Sequence, residues 1–487
     1  MRILKDILYN VALKSVQGPT DVFVNSIQYD SRKIKKNDAF IAIKGSASDG
    51  HDFIDKAIEN GASIIVAEYV PEQKDQTITY VEVESSSSAL AFMAANFYQH
   101  PSENLKLIGI TGTNGKTTVA SLLYNLFKAA GYKVGLISTV KIMVGDSEFS
   151  TSHTTPDSLI INFYLKQMNA TGVEFCFMEV SSHGIHQHRT EGLTFEGGIF
   201  TNLSHDHLDY HSSFAEYRDV KKSFFDSLPK TAFAITNIDD RNGQIMLQNT
   251  KAKTFSYALK SYADYRTQIL ENHFKGLLLK INDNEIWFKL IGSFNAYNLT
   301  AVFACADVLG LEKNDLLRLI STLENVSGRF EYFVTTNNIT VIVDYAHTPD
   351  ALKNVLHTIN DIRTKNELLI SVVGCGGDRD KTKRPKMGHI ASALSSKVIF
   401  TSDNPRTENP DSIISDIEQG VEPQNYMKVM AITNRKQAIK AACQLASTND
   451  IILVAGKGHE TYQEINGVRS EFNDYEVAME CLNQLQK

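Results

Sequence analysis

The chain has 487 residues, 43% hydrophobic and 22% charged, with a formal net charge of −7. That length exceeds one ordinary core and implies about three domains, while a mean hydropathy of −0.20 gives no sign of disorder. The acidic balance excludes a general nucleic-acid binder, and no apolar run approaches the roughly 20 residues that cross a bilayer, so no membrane insertion is expected.

The first block, 1–102, starts with MRILKDILYNVALKS, which has Asp6 inside its apolar stretch and no small-residue cleavage site. Five scattered cysteines lack paired spacing, which argues against a structural zinc site and for a reducing, cytoplasmic compartment. AFIAIKG (39–45) and SIIVAE (63–68) read as strands. Between them HDFIDKAIENG predicts a helix with Phe53, Ile54, Ala57 and Ile58 on one face and Gly61 as its stop. YQHPSENLK (98–106) reads as a polar linker.

The second block, 103–330, opens with the strand LKLIGIT. A helix follows, with Val119, Leu122, Leu123, Leu126 and Phe127 at helical spacing before Gly131. KVGLIST, EFCFMEV, GGIFTNL and AFAITN then predict an α/β domain with a mainly parallel sheet. The third block, 331–487, repeats the design in Rossmann-like form. ITVIVDYAH, LLISVVGCGGDRD, KVIFTSDNPR and IILVAGKGHE each run from an apolar strand into a polar loop. Open parallel sheets bind ligands at the carboxyl ends of their strands, so these four loops are expected to converge.

GITGTNGKTT (109–118) lies between strand and helix, where backbone N–H groups and a helix N-terminus suit phosphate. The generic phosphate-loop spacing fails by one position, because Ile110 stands where glycine is required. Downstream, six of the 14 histidines fall between 183 and 211. His205, His207, Asp209 and His211 approach the HxHxDH pattern of binuclear zinc hydrolases, with Tyr210 in place of a histidine. The other explanation is magnesium on ATP phosphates, with Glu179 at a strand end beside Thr117.

TGTNGKTT resembles the Mur ligase family, ATP-dependent amide-forming enzymes of peptidoglycan precursor synthesis, and more loosely the folylpolyglutamate synthetases. The resemblance implies an ATP loop of Gly112, Thr113, Asn114, Gly115, Lys116, Thr117 and Thr118. It implies catalysis by Lys116, Glu179, His207 and Lys221, with two Mg2+ held by Thr117, Glu179, His207 and a CO2-derived carbamate on Lys221 of YRDVKKSFFDSL. Asn295 and Asn298 would meet the adenine region, Arg329 of SGRFE the phosphates, and Asp344 of VDYAH the ribose.

YDSRKIKKNDAFIAIKGSASDGHDF is similar to the family's uridine-nucleotide domain, which folylpolyglutamate synthetases lack. It implicates Ser31, together with Thr154, Thr155, Ser181, Gln187 and Arg189, in holding UDP-N-acetylmuramoyl-L-alanyl-D-glutamate. Arg379, Asp403, Asn404, Pro405, Arg406, Gly456 and Glu460 would then select the incoming amino acid. DNPR is the form associated with meso-2,6-diaminopimelate, whose far carboxylate suits the fork of Arg406, while lysine-adding relatives diverge at the arginine. The expected enzyme is thus a diaminopimelate-adding ligase acting as a monomer. Its alternatives are the lysine-adding form, a folylpolyglutamate synthetase-like ligase and a zinc hydrolase.

Overall fold

The computed structural model describes residues 1–45, 48–151, 153–204, 206 and 210–487. They build three α/β domains, each around its own sheet. The first sheet has five strands in the order Leu13–Gln17, Thr79–Val83, Ala62–Ala67, Asp38–Ile41 and Ile27–Gln28, parallel except for the first pair. The segment expected as one amphipathic helix is a 3-10 turn, Gly50–Phe53, followed by an α-helix, Ile54–Glu59. The tighter turn advances side chains by a different angle. Ile54 and Ala57 are therefore buried, while Phe53 is 43% exposed and faces the central cleft.

The polar stretch at 98–106 is docked rather than free. Its 3-10 turn, Pro101–Asn104, buries Pro101 and Ser102. The Ser102 hydroxyl accepts the Thr194 N–H at 3.0 Å, and the Asn169 amide donates to the Pro101 carbonyl at 2.8 Å. Buried backbone must find such partners, and here the second domain supplies them.

The central sheet has 11 strands. Its parallel middle runs Val134–Ile137, Phe175–Glu179, Lys106–Thr111, Gly197–Phe200, Phe233–Asn237, Lys253–Ala258 and Tyr265–His273. Antiparallel strands flank it on both sides, Ile142–Val144 with Ser147–Phe149, and Gly276–Ile281 with Asn284–Phe288. One face is covered by the helices Lys116–Ala129 and Ser293–Val308, burying Leu122, Phe127, Phe177 and Leu299. The opposite core holds Leu165, Tyr217, Phe224 and Phe225 from the helices Ser158–Ala170 and Phe214–Asp226. Each such side chain contributes about 1.5–3 kcal/mol by leaving water.

The third sheet runs Glu331–Val334, Thr340–Asp344, Ile451–Ala455, Leu369–Cys375, Lys397–Ser402 and Val429–Ala431, antiparallel only at the first pair. The four strands singled out in the sequence are adjacent and parallel, so all four of their loops leave the same edge. Among the described residues no helix is long and apolar enough to cross a membrane.

Candidate active site

Residues of all three domains line one cleft of about 2850 Å³. At its floor the strand Lys106–Thr111 passes through Gly112 (φ 146°) and Gly115 (φ 87°) into the helix that begins at Lys116. A Cβ on Gly112 would fall 2.0 Å from the Thr201 hydroxyl, and one on Gly115 would fall 2.6 Å from Asn298 Oδ1. Only glycine fits at either point. The loop is braced from behind. Thr113 N–H donates to the Asn202 carbonyl (2.8 Å), Asn114 N–H to Asn202 Oδ1 (3.0 Å), and the Thr201 hydroxyl to the Asn114 carbonyl (2.6 Å). Thr113, Asn114, Thr117 and Thr118 border the cleft beside Lys116.

Two lysines meet at this loop. Lys116 Nζ donates to the carbonyls of Gly112 (2.9 Å) and Thr113 (2.8 Å), and Lys221 Nζ donates to the same Gly112 carbonyl at 3.0 Å. Lys221, one turn beyond Tyr217, is 1% exposed, with its ammonium 4.8 Å from the Tyr217 ring centre. Burial, and then the Lys116 charge, hold the Lys221 amine well below its ordinary value. Burial also lowers Lys116, with Glu179 acting against it. Glu179 is fully buried at its strand end, and its carboxylate accepts the Thr139 N–H (2.7 Å) and hydroxyl (3.2 Å). His205, His207 and Asp209 lie outside the described residues.

Arg329 reaches from the far side, donating to the Thr117 hydroxyl at 3.1 Å with its guanidinium over the Tyr345 ring at 4.6 Å. Asp344 accepts the Phe330 N–H at 2.7 Å, and burial pushes its carboxyl up to about 6. Asn298 borders the cleft, but Asn295 does not reach it. The Asn295 amide donates to the Ile291 carbonyl (2.8 Å), and its oxygen accepts from Asn298 (3.1 Å), so it orients Asn298 from behind.

On the cleft's other flank, Thr155 Oγ1 accepts Ser181 N–H (2.9 Å) and donates to the Glu179 carbonyl (2.9 Å). Arg189 bonds the Thr155 carbonyl and Gln187 Oε1, each at 2.6 Å, while the Thr154 and Thr139 hydroxyls are hydrogen-bonded at 3.1 Å. Ser31 faces the same space from the first domain, next to Tyr29, whose hydroxyl bonds Asp157 at 3.1 Å. Burial and that carboxylate push the Tyr29 phenol up to about 12.

At the third sheet's edge, the loops GCGGDRD and DNPRTENP are stitched together. Gly377 N–H donates to the Asn404 carbonyl (2.9 Å), Arg406 Nη1 to the Gly377 carbonyl (2.8 Å), and Thr407 Oγ1 to Asp378 (2.7 Å). Arg406 itself stands at φ 51°. Arg379, Asp403, Asn404, Arg406, Gly456 and Glu460 all border the cleft, whereas Pro405 is buried with its carbonyl against Gly377. Sequence reasoning missed the cations beneath. Arg384, 1% exposed, forks onto Glu408 (3.0 and 2.9 Å) and reaches Asp416 (2.9 Å). Arg435 pairs with Asp474 and donates to the Ser402 and Ala455 carbonyls (3.4 and 3.1 Å), the residues just before Asp403 and Gly456. Lys457 is the third.

Three α/β domains closing on a glycine-rich strand–loop–helix, with the charged loops of the third sheet bordering the same cleft, define an ATP-dependent ligase. The chain belongs to the Mur ligase family. The model of the Mur ligase family catalytic domain matches residues 23–98, that of the Mur ligase middle domain 110–306, and that of the Mur ligase glutamate ligase domain 328–458. A UDP-N-acetylmuramoyl-L-alanyl-D-glutamate–2,6-diaminopimelate ligase of Cytophaga hutchinsonii is 51% identical over 99% of this chain and 100% of its own length. One of the same description from Bacteroides thetaiotaomicron is 47% identical over 99% and 100%. A solved structure of a ligase of that description is 30% identical, covers 100% of this chain and 99% of its own, and superposes with a TM-score of 0.69. The zinc-hydrolase reading falls with this membership.

Proposed function

We infer that this protein adds meso-2,6-diaminopimelate to UDP-N-acetylmuramoyl-L-alanyl-D-glutamate, with conversion of ATP to ADP and phosphate, in peptidoglycan precursor synthesis. The observation that carries the reading is the joint presence in one cleft of the Lys116 loop and of Arg406 on its stitched loop. A carboxylate resists an amine because oxide would have to leave. Transfer of the γ-phosphoryl group to the D-glutamyl γ-carboxylate gives an acyl phosphate, from which the amine of the diamino acid displaces phosphate.

The chain's part is to position and neutralise. Backbone N–H groups of 115–117 at the helix N-terminus cradle the phosphates, Lys116 turns from the loop carbonyls onto them, and Arg329 approaches from the third domain's side. Asn298 orients the base and Asp344 the ribose. Ser31, Thr154, Thr155, Ser181, Gln187 and Arg189 hold the nucleotide-sugar dipeptide. Arg379 and Arg406 receive the amino acid's far carboxylate, and Asp403, Asn404, Gly456 and Glu460 its far ammonium.

The donors fit magnesium. Thr117 and Glu179 offer oxygen on one wall, and burial beside the Lys116 charge favours the uncharged Lys221 amine, the form that reacts with CO2 and loses a proton to become a carbamate. Two Mg2+ ions, held by Thr117, Glu179, His207 and the Lys221 carbamate, would neutralise phosphate charge there. We place the domain boundaries at 1–102, 103–330 and 331–487, where no sheet is interrupted. We take the enzyme to act as a monomer, and five buried unpaired cysteines support the cytoplasm.

The test is an amino-acid panel with purified UDP-muramoyl dipeptide and ATP, reading phosphate release. Turnover with meso-diaminopimelate well above lysine is expected. Preference for lysine would make this the lysine-adding form, and release that needs no amino acid would refute ligation.

A further inference from the structure

Lys457, in AGKGHE, is completely buried, and no role above uses it. Its ammonium donates to Asn404 Oδ1 and Glu460 Oε2, both at 3.0 Å, and stands 3.9 Å from Asp403 Oδ1. The Tyr462 ring lies 5.3 Å away, with Arg469 over that ring at 4.4 Å. An ammonium removed from water is costly unless it is paired and hydrogen-bonded. Its partners here are three of the side chains assigned above to the amino acid.

The consequences are geometric. Asn404 Oδ1 accepts from Lys457 and from the Glu464 N–H (2.9 Å), which fixes the amide so that its Nδ2 donates to Glu460 Oε2 at 2.7 Å. Gly456, at φ 120°, keeps the wall open, because a Cβ there would fall 2.4 Å from Asp403 Oδ2. Charge follows the same logic. Two carboxylates and one ammonium sum to −1, which matches one incoming ammonium. Arg435 behind them is already neutralised by Asp474.

We propose that Lys457 is a positioning residue for amino-acid selection, holding Asp403, Asn404 and Glu460 as one acceptor set for the distal ammonium of a diamino dicarboxylic acid without touching that acid. The proposal rests on the function inferred above. The test uses full-length Lys457→Met and Lys457→Gln, the second keeping a hydrogen bond to Asn404 without charge. Each is assayed with meso-diaminopimelate and with 2-aminopimelate, which keeps both carboxylates and one amine, and melting temperatures are measured alongside. In both variants KM for diaminopimelate should rise about tenfold or more, with KM for ATP and for the UDP-muramoyl dipeptide within about twofold. The wild-type preference for diaminopimelate over 2-aminopimelate should shrink by about the same factor. An unchanged preference, with only lower melting temperature or active fraction, overturns the proposal. Wild type that ligates neither acid would instead overturn the function on which it rests.

Discussion

Arg406→Lys separates charge from shape at the point assigned to diaminopimelate. The backbone there is in the left-handed region at φ 51°, held by Arg406 N–H on the Glu464 carbonyl (3.1 Å) and by Asn466 N–H on the Arg406 carbonyl (2.7 Å). Lysine carries the same Cβ, so backbone strain is unchanged and only the head group differs. Nη1 is committed to the Gly377 carbonyl at 2.8 Å, leaving the guanidinium's other donors for a carboxylate. A lysine ammonium is a point charge that cannot reproduce both jobs. One charge-assisted hydrogen bond is worth roughly 1.5–3 kcal/mol, and 1.4 kcal/mol is a factor of ten. The variant should therefore lose roughly 10- to 150-fold in kcat/KM for meso-diaminopimelate. L-Lysine has no distal carboxylate to lose, so its small rate should stay put and the selectivity ratio should fall by the same factor. Phosphate release at saturating ATP and UDP-muramoyl dipeptide, with each amino acid varied, measures both. Diaminopimelate kcat/KM within about threefold of wild type, or a parallel fall for lysine, would refute the assignment.

Lys221→Ala should abolish ligation, and short-chain carboxylic acids should restore part of it by standing in for the carbamate; full activity of the variant would sink that role. Asp344, pushed up to about 6 by burial, is ionised at pH 7.5 and protonated at pH 5. KM for ATP should therefore climb as pH falls through 6, and Asp344→Asn should flatten the profile. Glu408 is held down to about 2 chiefly by Arg384. Its folded value lies below an unfolded value of about 4.3, so its stabilisation is full above about 4.3 and is lost as pH falls toward 2. Arg384 keeps Asp416, so Glu408→Gln should lower the unfolding free energy by roughly 2–3 kcal/mol at pH 7.5 and by less at pH 3, read from urea titrations.

The four loops of the third domain were legible because each follows an uninterrupted apolar strand, and parallel pairing leaves all four on one edge. The strand, tight loop and helix at 106–129 were legible from the loop's glycines and the helical spacing that follows them. Lys221 was not legible from pattern alone. It shares a KK pair with Lys222, and the side chain buried beneath Gly112 is identified by the inward face of Tyr217 and Phe225, together with the resemblance. Arg384, Arg435 and Lys457 were invisible for a plainer reason. Glu408 lies 24 residues from Arg384, Asp474 39 from Arg435 and Asn404 53 from Lys457, and an isolated arginine or lysine reads as a solvated charge until the fold removes its water. Phe53 was misplaced because helical periodicity assumes 3.6 residues per turn and the local backbone there is tighter.

The same edge also joins the segment that carries Glu460 to the one that carries Arg329. Gly328, at φ 65°, is pressed so closely on the AGKGHE loop that a Cβ would fall 1.9 Å from His459 N, and a Cβ on Gly458 would fall 2.6 Å from the Gly328 carbonyl oxygen. That carbonyl also accepts the Tyr345 N–H at 3.0 Å. The next residue, Arg329, bonds Thr117 on the phosphate loop. The backbone that presents Glu460 is therefore in contact with the backbone that carries Arg329, with no flexible side chain between them to absorb a shift. Close-packed contacts of this kind transmit displacement instead of yielding to it. Glu460 and Arg329, assigned above to the amino acid and to the phosphates, thus sit on backbone segments in direct contact.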